Sequence, residues 1–251
     1  MMPHRSVLLT GVVVLIVFSS IQAISASEWK VLGESDFAAV NCDPETFQFG
    51  KEPGSLHCTG VPHGGLKSRQ VLTNFELEFE WRHNRFAGNS GVFLWSPSSV
   101  LESLPRNKLP EGIEVQILDP GFETNWIKNN GKPSDWFTSH GDIFSVGGST
   151  MKASNPEVTY TEDGSTWTVR KPDAQRTFPT KRLTKPAGEW NHYRIVVKGD
   201  HYQSFVNGVA TADFTQPGDP EGYIGFQVHG IKKGTGPYSV RWRKVKFREI
   251  K

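Results

Sequence analysis

The chain has 251 residues, 36% of them hydrophobic and 22% charged, proportions that exclude a disordered chain or a long coiled coil. With 28 basic against 26 acidic residues the formal net charge is +2, so charge supplies no argument for nucleic acid or an anionic membrane surface as partner.

The first segment differs in kind from the rest. His4 and Arg5 precede an apolar run from Val7 to Phe18, and small residues follow around Ala23 to Ser27. This is the pattern of a secretory signal peptide over residues 1–26, too short in its core for a comfortable membrane span, with an uncleaved anchor as the alternative. The expectation is an exported protein, periplasmic or extracellular, without a stable membrane anchor after processing. In such a compartment Cys42 and Cys58, the only two cysteines, can form a disulfide of about 3 kcal/mol if the geometry fits. Two free buried thiols are the other reading.

Residues 27–251 read as one β-rich domain. "FELEFEW" (75–81) sets Phe75, Leu77, Phe79 and Trp81 against Glu76, Glu78 and Glu80, the alternation of a strand with one solvated face. "GNSGVFLWS" (88–96) puts Asn89, Phe93 and Trp95 on one face and Ser90, Val92 and Leu94 on the other. In "EGIEVQILDPG" (111–121) Ile113, Val115 and Ile117 oppose Glu114 and Gln116. Residues 120–187 are rich in Gly, Pro, Asn, Asp and Lys and show little alternation beyond 141–146. They are expected to form long loops carrying Trp126, Trp136 and Trp167, of the kind that is often functional. "HYRIVVKG" (192–199) resumes the strand pattern, and Asn207-Gly208 between two short runs predicts a hairpin. In "GYIGFQVHG" (222–230) Tyr223, Gln227 and His229 share a face. The last run, "VRWRKVKFREI" (240–250), changes phase near Arg243-Lys244, which predicts a β-bulge. Many short strands without helical spacers define an all-β fold, a two-sheet antiparallel jelly-roll sandwich.

If the strands bearing Asn89, Glu114, Gln116, Gln227 and His229 are neighbours, their polar faces merge into a surface of amide, carboxylate, imidazole and aromatic groups suited to a sugar. The alternative is an ordinary solvated face. Short amide side chains flanked by glycines favour the site. Ordinary glycosidases need two carboxyl groups, about 5–5.5 Å apart for retention or about 6.5–9.5 Å for inversion. Position 116, about 6.5–7 Å from Glu114 along the strand, holds an amide, and Asp119 is about 17 Å away in extended chain. Two-carboxylate hydrolysis is therefore not supported, unless a loop residue such as Asp142 or Asp135 completes the pair.

The segments "NSGVFLW", "EGIEVQILD", "HGDIFSV", "KPAGEWNHYRIVVKGDHYQSFVNG", "GYIGFQVHG" and "VRWRKVKFREI" resemble, in order, blocks of the 3-keto-disaccharide hydrolase family over most of residues 29–251. The resemblance implies an exported domain with the concanavalin A-like lectin/glucanase jelly roll. It also implies a chemistry that needs no carboxylate pair: a ketone at C3 acidifies the C2 proton, the C1 substituent leaves by elimination, and water adds back. On that basis Glu114 and His229 are the candidate base and acid, in an unassigned order. Gln116, Gln227 and Asn89 would hold hydroxyls or the enolate oxygen, while His140 or Asp142 close the site from a loop. Trp95 stands where the family commonly has an Arg, and the insertion holding Trp167 is longer than expected. No cofactor is firmly implied. Glu114, Asp119 and His229 are ligand types for a divalent cation, but no ligand spacing commits to one. The alternative function is a non-catalytic, lectin-like glycan-binding domain, and a scaffold for surface interactions is a third.

Overall fold

The alternating run at residues 75–81 forms the central strand of the larger sheet, with Phe75, Leu77, Phe79 and Trp81 in the core. The structure is a computed structural model and describes residues 27–60, 64–105, 108–216, 222–228 and 238–251. The expected signal segment and His229 lie outside the described residues, as does the side chain of Gln227.

Two antiparallel sheets pack face to face. The larger contains β1 (Lys30–Val31), β3 (Phe47–Phe49), β4 (Leu56–Cys58), β6 (Phe75–His83), β10 (Lys152–Ala153), β14 (Asn191–Lys198), β15 (His201–Val206), β16 (Val209–Thr215) and β18 (Val240–Glu249). Its order is β10-β16-β15-β14-β6-β18-β4-β3, with β1 added to β18. The smaller sheet contains β2 (Phe37–Val40), β5 (Gly64–Ser68), β7 (Asn89–Ser96), β8 (Gly112–Leu118), β9 (Ile143–Val146), β13 (Arg176–Thr177) and β17 (Tyr223–Val228). There the order is β13-β9-β8-β7-β17-β5-β2. The order is non-consecutive in both sheets, so the chain crosses repeatedly between them, as in a jelly roll. Side chains from both inner faces form one apolar core, including Trp81, Tyr193 and Trp242 from the larger sheet and Val92, Val115 and Phe226 from the smaller.

Two local expectations hold. Asn207 and Gly208 both take positive φ (50° and 85°) and join β15 to β16, as the hairpin needs. The register of β18 on β6 slips between Arg243 and Lys246, and Lys244 has φ 55°, which returns Val245 and Phe247 to the core.

The region 120–187 departs from the expected long loops. It holds helix α2 (Gly121–Asn130), strands β9, β10 and β13, and a separate hairpin of β11 (Glu157–Glu162) and β12 (Ser165–Arg170). Helix α2 starts where the Asp119 carboxylate accepts the Gly121 N–H and ends where Gly131 turns left-handed at φ 72°. The β11–β12 hairpin is stabilised by its own small cluster of Tyr160, Val169 and Phe178. A short helix, α1 (Ser98–Glu102), follows β7.

The two cysteines are free thiols in the structure rather than a disulfide. The Cys42 thiol instead donates to the Gly65 carbonyl at 3.4 Å, and Cys58 is fully buried in the core between its partners Phe47 and Val240. Burial pushes the Cys58 thiol up to about 12, which makes it a poor nucleophile for exchange.

Candidate active site

The smaller sheet turns one face to the core and the other to a cleft of about 630 Å³. Strand alternation decides which side chains line it. On β8, Ile113, Val115 and Ile117 are core residues, so Glu114, Gln116 and Leu118 form the floor. Antiparallel pairing sets Asn89 of β7 opposite Leu118, and Phe144 of β9 opposite Glu114. Arg176 of β13 is opposite Phe144 and completes a row Glu114–Phe144–Arg176 across three strands. Above this floor stands an aromatic wall of Trp126 on α2 with Trp136 and Phe137 from the following turn. Their edge-to-face contacts have centroid separations of 4.8–6.0 Å.

Glu114 is the only carboxyl group among the described lining residues. It is buried and makes no hydrogen bond among the described residues, and burial raises its pKa to about 8 although the Arg176 charge acts against the shift. At pH 7 about a tenth of such a group is ionised, so it can hold or take a proton near neutrality. Beside it the Gln116 Nε2 donates to Asn89 Oδ1 at 2.8 Å, which orients both amides and leaves the Gln116 carbonyl and Asn89 amino group for a ligand.

Arg176 is held from behind. Its Nε lies 3.0 Å from Asp142 Oδ2, an ion pair rather than an aligned hydrogen bond, and its guanidinium lies 4.2 Å from the centre of the Phe144 ring. Asp142 is fully buried and accepts from the Thr138 N–H and hydroxyl. Burial lifts the Asp142 pKa to about 6, with the Arg176 charge opposing. A cation aimed into a low-dielectric cleft is thereby fixed in one orientation.

The structure therefore brings together Asn89, Glu114 and Gln116, and puts Asp142 behind Arg176. Gln227 sits on β17, two strands from β8, with its backbone opposite Gly65. Three other expected binding residues lie elsewhere. Alternation predicts Trp95 on the polar face, but it has φ 54° at a β-bulge where the register of β7 on β17 slips. The extra residue turns its indole into the core, edge-on to Tyr202 and Phe75. Asp119 accepts three backbone N–H groups, from Ala87 (2.7 Å), Gly121 (2.9 Å) and Ala187 (2.6 Å), and so ties three loops together instead of facing the cleft. Gly121 permits this approach, because a Cβ there would meet Asp119 Oδ2 at 2.5 Å.

His140 is buried, and its Nδ1 accepts the Thr184 N–H at 3.1 Å while Nε2 lies 3.9 Å from Glu123 Oε2. Burial, and then the Arg182 charge, hold its pKa at about 3, so it is neutral and structural. Among the described residues no group of three or more His, Cys, Asp or Glu side chains could hold a metal ion. Sequence reasoning missed Arg176 altogether and marked Trp126 and Trp136 only as residues of loops of a kind that is often functional. An isolated Arg between Gln and Thr carries no local signal, since only the pairing of β13 with β9 takes it to Glu114.

Several solved structures share this architecture. A kappa-carrageenase of Pseudoalteromonas carrageenovora shares the fold at TM-score 0.51 and 12% identity, over 93% of this chain and 99% of that one. Porphyranase B of Zobellia galactanivorans does so at TM-score 0.50 and 16% identity, over 89% and 93%. A Parabacteroides distasonis protein provisionally assigned as a glycosyl hydrolase has TM-score 0.53 and 20% identity, over 89% and 100%. No curated protein sequence matches the chain. Residues 24–251 match the 3-keto-alpha-glucoside-1,2-lyase-like domain, and the chain belongs to that family.

Proposed function

We propose that this protein is an exported enzyme that cleaves 3-keto glycosides by elimination, using Glu114 as the base. The observation that carries the reading is a buried carboxyl group, the only one among the described lining residues, with a pKa near 8, at the floor of a cleft that also holds an aromatic wall and a fixed guanidinium. An oxocarbenium route calls for two carboxyl groups, whereas loss of a proton next to a ketone calls for one base.

In the proposed reaction the Glu114 carboxylate takes the C2 proton of the bound 3-keto sugar. The C–H electron pair moves to give an enolate whose oxygen faces Arg176. Its collapse forms the C1–C2 double bond and breaks the bond from C1 to the leaving oxygen. The leaving oxygen takes a proton from the Glu114 carboxylic acid or from His229. Addition of water to the resulting enone gives net hydrolysis. Gln116 and Asn89 orient the sugar hydroxyls, and the aromatic wall covers the apolar ring face.

The test is incubation of the purified protein with 3-keto and unoxidised forms of one glycoside, followed by assay of released alcohol. Release from the keto form alone is expected. Comparable release from the unoxidised form would overturn elimination, and binding without release would favour a lectin.

A further inference from the structure

Helix α2 turns Phe122, Asn125, Trp126, Asn129 and Asn130 toward the cleft, while Glu123, on the flank of that stripe, reaches back to Arg182. The contact is bidentate: Arg182 Nη1 donates to Glu123 Oε1 at 3.2 Å and Nη2 to Oε2 at 2.5 Å. Its Nε donates to Glu162 of β11 at 2.8 Å. The guanidinium packs over Tyr160 and Trp167, which pair across the β11–β12 hairpin, at 5.4 and 5.1 Å from the ring centres. Arg182 and Glu123 are only 14% and 13% exposed. At that burial the desolvation of both ions offsets most of their attraction, so the pair adds little stability that apolar side chains would not. What a forked pair adds is a fixed orientation of the parts it joins.

Three contacts run from this hairpin to Arg176. Glu123 Oε1 also accepts the Ser139 N–H at 2.7 Å, and the neighbouring Thr138 donates twice to Asp142, whose carboxylate lies against Arg176 Nε. Arg170 of β12 donates its N–H to the Asp135 carbonyl at 2.9 Å, next to Trp136, whose ring centre lies 5.6 Å from the Arg176 guanidinium. Phe178, packed in the hairpin's cluster with Tyr160 and Val169, has its ring centre 5.9 Å from the same group. The hairpin therefore braces the cation of the cleft through its ion-pair partner and through two of its flanking rings. Arg176 is the only charged lining side chain besides Glu114 among the described residues, so its position sets the field at that carboxyl group.

We propose that Arg182 is a positioning residue for the elimination: by locking Glu123 to the β11–β12 hairpin, it fixes the Arg176 guanidinium where the enolate oxygen forms. Arg182 does not line the cleft and acts through Arg176. The inference rests on the elimination reading above and gives the hairpin a part in it.

The experiment measures kcat and KM on a 3-keto glycoside, and the titration midpoint of Glu114 by carbon-13 NMR of its carboxyl, assigned with Glu114→Gln. The proteins compared are wild type, Arg182→Met, Arg182→Lys and the double variant Arg182→Met/Glu123→Gln. Arg182→Met is expected to lower kcat by about 10–100-fold, with KM changed by less than about 3-fold. Arg182→Lys, which keeps a charge beside Glu123, should recover part of that loss. The Glu114 midpoint should rise above about 8 in Arg182→Met, because a displaced guanidinium no longer favours the carboxylate. An unchanged kcat, or a fall in kcat with the midpoint unmoved or lowered, overturns the proposal. Should Arg182→Met fold poorly, the double variant, which leaves no buried charge unpaired at this contact, decides by the same two readouts. If wild type cleaves no 3-keto glycoside, the elimination reading fails and the Glu114 midpoint decides whether Arg182 positions Arg176. A rise in the variant then supports that link, and an unmoved midpoint overturns it.

Discussion

Glu114 on β8 and the triplet Glu76, Glu78 and Glu80 on β6 arise from the same sequence pattern, polar side chains alternating with apolar ones along a strand. Their surroundings are opposite. On the outer face of the larger sheet each glutamate meets two basic side chains from neighbouring strands. Glu76 pairs with Arg194 and Arg248, Glu78 with His192 and Lys246, and Glu80 with Arg243 and Lys244. Although burial acts the other way, these bonds and charges hold Glu78 and Glu80 below the usual carboxylate range. Glu114 has only a fixed guanidinium near it and no hydrogen bond among the described residues, and it moves up to about 8. The cross-strand neighbours, not the residue type, decide whether a strand carboxylate is a structural anion or a proton carrier.

The comparison is broken most severely at Glu114 itself. Glu114→Gln keeps the shape and removes the base, so turnover of a 3-keto glycoside should fall by about 10²–10⁴-fold, with little change in sugar binding measured by calorimetry. Arg176→Met comes next. It removes the charge expected to stabilise the enolate, and kcat should fall by about 10²–10³-fold. Because Arg176 holds Glu114 down, the same variant should move the alkaline-rising limb of the kcat/KM–pH profile above its wild-type midpoint near 8. A limb that stays in place would mean that Glu114 is not the titrating base.

How much of this was legible depended on the range of the interaction involved. The period-2 pattern of β6 and β8, the Asn207-Gly208 hairpin and the Lys244 bulge are local, and all are found where the residues imply them. So is the meeting of Asn89, Glu114 and Gln116, since β7 and β8 are sequential neighbours in the sheet. The bulge at Trp95 was not legible. A bulky residue at φ 54° disobeys its own alternation, and only the register against β17 imposes it. Helix α2 was hidden because its cleft-facing stripe is amide-rich and shows no apolar periodicity. Its Asp-Pro-Gly start and Gly131 stop were the available signals. Arg176 needed a long-range pairing that no short window contains.

A stability measurement sharpens the comparison with less dramatic effects. Glu114 has a folded pKa of about 8 against an ordinary value of 4.5, so the fold favours its protonated form. The stabilisation is complete below about pH 4.5 and is lost as pH rises to about 8. Glu114→Gln cannot ionise, so denaturant unfolding should show it level with wild type at pH 4 and more stable at pH 9, by at most about 5 kcal/mol. A gap that closes toward high pH would contradict the raised pKa.

The outer triplet should respond least, and with the reverse sign. Glu78 and Glu80 have lowered folded pKa values, so their contribution is present above about pH 4.5 and is lost as pH falls through the folded values. Glu80→Gln should therefore destabilise the protein by no more than about 1 kcal/mol at pH 7, since Arg243 and Lys244 are partly exposed and screened by solvent. The difference should shrink at pH 3 and in high salt. Measured side by side, the two Glu→Gln variants would diverge as pH rises, Glu114→Gln above wild type and Glu80→Gln below it. Curves that instead run parallel across the whole range would show that the two carboxylates share one kind of environment, and Glu114 would lose its claim to be the group that moves the proton.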